Sequence, residues 1–318
     1  MPILYVPAEP PPPTPEVVVP GYRVGAPPRI TWTSAAGAVT ILSDPGSGYT
    51  VAPGVRGLGL PAYQYHRTDT ALDGTVVRGV RAEPRELFVP IYMEAPTFTE
   101  VWQMRRTLAA RLHPVEADGG GEGVLEVAFA DGSRRRIRAH YTGGMEGSEG
   151  SDEAGLCWAT YGLEFLAQQP YWERAPITYR WAIAPAEDTW LPLLPIKVRD
   201  ADVIGQGMTI VNPGTVRSWP VWTITGPLDG SAVMRNHTLG QELEFAATLS
   251  EGEQIVIDTR PRRKTVRDDA GVNMFSALTP GSVLWPLAPG PNTVDVELTG
   301  LDDDSRLELE ITPLELTA

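Results

Sequence analysis

The run "VNPGTVRSWPVWTITGP", Val211 to Pro227, sets two tryptophans, Trp219 and Trp222, and three prolines around one short β-prone stretch whose single ionisable side chain is Arg217. A catalytic strand-turn ends in a nucleophile, a carboxylate or a histidine, and this one does not. Large rings beside prolines in β runs fill a sandwich core or a domain interface more often than they stack on a ligand, so the stretch reads as built to pack. On both sides of it lie further strand-like runs separated by turns, among them "MTIVN", "SAVMRN", "EQIVIDT", "TVDVEL" and "RLELEIT". They carry no helical period, and this is the pattern of a single β-sandwich.

Upstream the pattern is mixed. "RITWTSAAGAVTIL" reads as two short strands around a turn at Gly37, followed by a Gly- and Pro-rich loop from Asp44 to Pro61. "TVVRGVRA" and "ELFVPIYM" read as a strand pair about the turn residues Glu83 and Pro84. The period then changes: Thr97 with Glu100 three residues later is a capping box, and Val101, Met104, Leu108 and Leu112 recur at helical spacing, which predicts one helix over 97–113, stopped by Pro114. "GVLEVAFADGSRRRIRAHY" is a hairpin turning at Asp131 and Gly132, with Arg134, Arg136 and Arg138 on one face of its second strand. "CWATYGLEFLAQQPYW" is another strand, with Cys157, Ala159, Tyr161, Leu163 and Phe165 expected inside. The expected organisation is a Pro-rich arm over 1–20, a mixed domain over 21–170, a connecting segment over 171–195 and an all-β domain over 196–318.

Composition narrows the functions. The 318 residues suffice for two domains. One cysteine, Cys157, excludes an intrachain disulfide and four-thiolate zinc sites, and points to folding in a reducing cytoplasm. A signal-peptide core and a long apolar run are both missing, so neither secretion nor membrane insertion is expected. The net charge of −14 opposes sequence-specific nucleic-acid binding, and 32 glycines and 31 prolines against two lysines indicate turns more than solvated helices.

No catalytic set assembles. The four histidines, His66, His113, His140 and His237, have neither a helical partner at i+4 nor a nearby cysteine. "GLGLPA", Gly57 to Ala62, fits a loose dinucleotide fingerprint but has no helix after it. The acids Asp268–Asp269 and Asp302–Asp304 read as solvated turns, and "RPRRKTVRDD", Arg260 to Asp269, as a solvated turn or docking patch. No catalytic, cofactor-binding or metal-ligating residue, and so no enzyme, is expected.

Taken in order, "IVNPGTVRSWPVWTITGP" and "QIVIDTRPRRKTVRDDAGVNMFSALTPGSVLWPLAPGPNTVDVEL" resemble the carboxy-terminal, galectin-like domain of siphophage distal tail proteins, with Asn212, Gly214, Pro220, Gly226, Ile257, Asp258, Thr259, Gly281, Ser282, Leu287, Pro289, Gly290 and Asn292 at the corresponding places. "GLGLP", "VRGVRAEPRELFVPIYM", "RRTLAARLHP" and "LEFLAQQPYW" follow the same family's order in phages of actinobacterial hosts, while the Pro-rich amino terminus and the insert from Gly144 to Gly155 depart from it. The resemblance implies a mainly β fold: a β-sandwich-like first domain with one helix, then a galectin-like sandwich. It also implies a virion structural protein at the tail tip, made and assembled in the host cytoplasm. There it would form a homo-oligomeric, hexameric ring between the tail tube protein and the tail-tip protein, with a central channel passed by DNA and the tape measure protein. A ring needs two different complementary faces on every subunit. Trp102, Arg105 and Arg106 on the helix, and Arg134, Arg136 and Arg138 on the strand, are the expected subunit-interface residues. The alternative is a carbohydrate-binding module of a phage tail that recognises host surface glycans, suggested by nine tryptophans and the fragment "RNH", Arg235 to His237.

Overall fold

Thr97 and Glu100 close the reciprocal cap that their spacing predicts: Thr97 Oγ1 accepts the Glu100 N–H at 3.3 Å and Glu100 Oε2 accepts the Thr97 N–H at 3.0 Å. In this computed structural model, residues 27–70, 73–115, 120–146, 157–182, 203–299 and 305–318 are described. The expected arm over 1–20, residues 183–195 of the connecting segment, residues 147–155 of the insert and Asp302–Asp304 lie outside them.

The first part of the chain forms β1 (Arg29–Thr33), β2 (Val39–Ile41), β3 (Tyr49–Val51), β4 (Tyr63–Asp69), β5 (Thr75–Ala82), β6 (Arg85–Glu94), the helix α1 (Phe98–Leu112), β7 (Gly123–Ala128), β8 (Arg134–Gly143), β9 (Trp158–Ala167) and β10 (Trp172–Glu173). One sheet runs in the order β2-β1-β7-β8-β9-β6-β3. Val101, Leu108 and Leu112 are buried on α1, and Leu108 and Leu112 pack with Trp32, Ile91, Ile137 and Phe165 of the sheet. The helix also ties to strands near both ends of the sheet. Arg111 Nη1 donates to Val39 O and Thr40 Oγ1 of β2, and the Tyr49 hydroxyl of β3 donates to Met104 O. Gly48 precedes β3 at φ 79°, where a Cβ would lie 2.6 Å from the Glu94 carbonyl oxygen, so the left-handed turn into β3 requires glycine.

The rest forms β11 (Ile177–Ala182), β12 (Val203–Asn212), β13 (Val221–Thr225), β14 (Leu228–Asn236), β15 (Gln241–Leu249), β16 (Gln254–Asp258), β17 (Thr265–Asp268), β18 (Gly290–Leu298), β19 (Arg306–Ile311) and β20 (Leu314–Glu315). Two sheets, β11-β19-β13-β16-β17 and β12-β18-β14-β15, enclose one core. Trp222 and Trp285 are fully buried within it and meet edge to face at 5.5 Å; Trp219 is half-buried. The fold is mainly β, and α1 is the one α-helix among the described residues, as expected.

Three local expectations fail. The two runs read as a strand pair do not pair: β5 bonds to β4, and β6 bonds to β9 and β3, because the Glu83–Pro84 turn sends the chain into a different sheet. The loop over 44–61 contains β3. Cys157 lies outside the core just before β9, exposed, with Sγ 3.8 Å from Pro96 O; the inward alternation becomes fully buried only at Leu163.

Candidate subunit interfaces

The opening stretch organises a junction between the two halves of the chain. Asn212 is fully buried: its Nδ2 donates to Val216 O at 3.0 Å and Leu287 O at 3.3 Å, and its Oδ1 accepts from Gly214 N and Ser218 Oγ. A buried amide with donors and acceptor all satisfied fixes a loop in one conformation. Gly214 must lack a side chain, because a Cβ there would lie 2.8 Å from Leu314 N in the strand that passes over it. That strand, β20, carries the chain back from the sandwich to the first sheet, where it pairs with β10.

Arg85 completes the junction. It is 3% exposed, and its guanidinium donates to Pro170 O at 2.7 Å, to Gly57 O and Gly59 O, and to Leu316 O at 2.8 Å beyond β20. The five N–H donors of an arginine fork suit four carbonyls arriving from different segments. Burial holds the guanidinium below the ordinary arginine pKa. Glu315 of β20 is itself buried and reaches Arg174 at 3.3 Å and Arg135 at 3.9 Å. Sequence reasoning missed this junction, since no periodicity marks a two-residue strand or a single arginine that closes on backbone.

The six interface residues expected from sequence fall into two groups on opposite sides of the first sheet. Ile137 and Ala139 of β8 point into the core that α1 covers, so Arg134, Arg136 and Arg138 face away from it. Glu126 of β7 accepts from both Arg134, at 3.2 Å, and Arg136, at 2.6 Å, while Arg138 lies 4.0 Å from Glu173. Partial burial raises the Glu173 pKa, with Arg138 opposing the shift. On the helix, Arg105 sits 4.8 Å above the Trp102 ring and 5.8 Å above Tyr161, and Phe98 packs edge to face on Trp102 at 5.7 Å. Arg106 is exposed on the same helix. The chain thus offers a charged strand face and an aromatic-cationic helix face.

The glycan reading draws little from the residues that suggested it. Trp222 and Trp285 are enclosed in the core. Arg235 is bound to Glu242 at 2.6 Å and Glu297 at 2.8 Å, and His237 to Asp295 at 2.6 Å. Among the described residues no group of three or more His, Cys, Asp and Glu side chains is arranged to hold a metal ion.

Residues 213–308 match the family model described as "Siphovirus-type tail component, C-terminal domain". That part of the second sandwich is similar to the carboxy-terminal domain of siphovirus-type tail components. The likeness extends over both halves in fold. The crystal structure of SPP1 Dit (gp 19.1), described as a paradigm of the hub adsorption apparatus in phages that infect Gram-positive bacteria, superposes with a TM-score of 0.62 at 17% identity, covering 90% of this chain and 98% of that one. A chain of the phage P2 baseplate in its activated conformation with Ca superposes at a TM-score of 0.51 and 10% identity, covering 89% of this chain and 97% of that one. No curated protein matches the chain. This is the mainly β, Dit-type architecture that the sequence resemblance implies.

Proposed function

We propose that the chain is a structural protein of the siphophage tail tip: the distal tail, or baseplate hub, ring that joins the tail tube to the receptor-binding apparatus. The observation that carries this reading is the coverage. The Dit likeness takes in nearly all of both chains and goes with a tail-component family match in the second sandwich. The hub acts by geometry. Copies associate head to tail through unlike faces, a rotation that closes makes a ring, and hexameric closure leaves a central channel for DNA and the tape measure protein. The strand face with Arg134, Arg136 and Arg138 and the helix face with Trp102, Arg105 and Arg106 are candidates for the two sides of that contact. An acidic chain, with a net charge of −14, suits a passage along which DNA slides without being held.

Native mass spectrometry of the untagged chain over a concentration series, with negative-stain images of the same sample, tests the proposal. Six-fold rings with an open centre are expected, and a strict monomer at every concentration counts against the hub. Reversing the charge of Arg134, Arg136 and Arg138 together is expected to abolish the ring while leaving the unfolding midpoint of the monomer within a few degrees; an unchanged ring would remove that strand face from the interface.

A further inference from the structure

The strands β4 and β5 form a two-stranded ribbon whose backbone pairs with no other strand among the described residues. Such a ribbon alone is marginally stable in water. Its register places Tyr63 opposite Ala82, Tyr65 opposite Val80 and Arg67 opposite Val77, so one face carries Tyr63, Tyr65, Val77 and Val80 together. Tyr65, Val77 and Val80 are each about half exposed, at 50%, 50% and 52%. A row of β-branched and aromatic side chains on one face of a strand pair is what elsewhere in this chain lies against a core. Within the two strands, Arg67, Arg78 and Arg81 outnumber Asp69, which makes the ribbon a cationic element on an acidic protein.

The complementary surface is on the same chain. Where β6 and β9 pair, the face turned away from the core carries Glu86 opposite Leu166 and Phe88 opposite Glu164. These residues line an open groove of about 430 Å³, with Arg56 lying 4.5 Å above the Phe88 ring at its side. Glu146 reaches the same side of β8, since a Cβ on Gly143 would stand 3.0 Å from Glu146 Oε1 and 3.8 Å from Glu164 Oε2. The groove thus has Phe88 and Leu166 beside two lining carboxylates and one arginine, with the Glu146 carboxylate near it, the inverse in charge of the ribbon.

We propose that the ribbon of one copy seats in the β6–β9 groove of the next copy, Tyr65, Val77 and Val80 covering Phe88 and Leu166 while Arg67 on the same face meets Glu86 and Glu164. The contact is heterologous, one unlike face from each copy, and this is the kind that closes into a cyclic ring. It rests on the hub reading and names the surfaces through which neighbouring subunits of that ring hold each other.

The test uses the full chain with its one thiol removed by Cys157→Ala. Two single-cysteine variants, Val77→Cys on the ribbon and Glu164→Cys in the groove, are mixed and treated with a short bismaleimide; Val39→Cys, exposed on β2, replaces the ribbon variant as control. A covalent dimer is expected in the Val77→Cys and Glu164→Cys mixture at several times the yield of either variant alone or of the Val39→Cys mixture. The chain carrying both cysteines is expected to give a ladder that ends at the copy number of the ring. Yields no higher than the control overturn the ribbon contact. Native mass spectrometry of the unmodified chain then separates the two ideas: rings without the cross-link leave the hub standing with its contact elsewhere, and a monomer without the cross-link removes both.

Discussion

The β4–β5 ribbon and the second sandwich are made of the same kinds of strand, and only one of them finds its cover among the described residues. In β13, β16 and β19 the inward residues Trp222, Ile224, Ile255, Ile257, Leu307 and Leu309 are all closed off from water. In the ribbon, Tyr65 lies opposite Val80, the register shift after His66 brings Val77 opposite Arg67 onto the same face, and Tyr65, Val77 and Val80 remain half exposed. Alternation records that one face of a strand is to be buried, and it is silent on whether the burying surface belongs to the same molecule. The sandwich is a solved packing problem inside one chain, and the ribbon is half of one. Substitutions that separate folding from assembly test this contrast.

The largest effect belongs to the sandwich. Trp222→Ala removes a fully buried ring that touches Trp285 and Trp181. A loss of about 4 kcal/mol in unfolding free energy is expected, the range seen for large-to-small core changes that leave a cavity. Denaturant unfolding followed by far-ultraviolet circular dichroism measures it; a loss under about 1 kcal/mol would mean that the two sheets do not depend on this ring.

Next is the junction between the regions. Arg85→Met keeps the volume and leaves the carbonyls of Gly57, Gly59, Pro170 and Leu316 without their donor. A cost of roughly 3 kcal/mol is expected, since buried acceptors that lose a charged donor keep their full desolvation penalty. Hydrogen exchange should quicken around Leu314–Glu315 before it quickens in the sandwich core. Arg85→Lys is expected to fall between the two, because an ammonium cannot fork to four acceptors.

A smaller effect concerns pH. Asp295 on the outer face of β18 accepts from Gly207 N at 2.6 Å and from His237 Nε2 at 2.6 Å, and these hydrogen bonds, the backbone one foremost, hold its pKa below the ordinary aspartate value. The unfolded chain therefore binds this proton more readily than the folded one. The stabilisation is complete above the ordinary aspartate pKa and is lost as pH falls through the lower, folded value. Asp295→Asn is expected to lower stability near neutrality and to change little below the folded aspartate pKa, so that the acid limb of the stability profile flattens. An acid limb of unchanged slope would count against this account.

Much of the fold is legible in the sequence wherever local chemistry and tertiary packing agree. Thr97 and Glu100 announce α1 because a capping box satisfies its donors within four residues. Asp131 and Gly132 announce the β7–β8 hairpin, and Asn212 and Gly214 mark a turn whose backbone needs an amide and a missing Cβ. The partners of β5 and β6 are not legible, because adjacent strands separated by a short turn read as a hairpin unless something shows that they belong to different sheets. Nor is the clasp of Arg85, whose partners come from positions 57, 59, 170 and 316 and share only carbonyl oxygens. Of the expected interface residues, sequence gives the faces correctly, and the alternation of β8 and the period of α1 suffice for that. On the proposed reading the partners across those faces belong to other copies, about which a single chain's periodicity is silent.

The smallest expected effect on folding is the one that cuts deepest into the contrast. Val80→Ser on the ribbon removes apolar surface that is half exposed among the described residues, so the unfolding free energy of the monomer should change by less than about 0.5 kcal/mol. The same change is expected to weaken ring formation at least tenfold in concentration, since its apolar area would be buried only against the next copy. A substitution silent in folding and costly in assembly identifies a strand face completed by a neighbour. If Val80→Ser instead lowers monomer stability by a kilocalorie or more, the ribbon is packed against its own chain and the alternation has an internal answer. If neither quantity moves, the ribbon is a solvated hairpin, and the half-exposed tyrosines and valines of β4 and β5 carry no part of the ring.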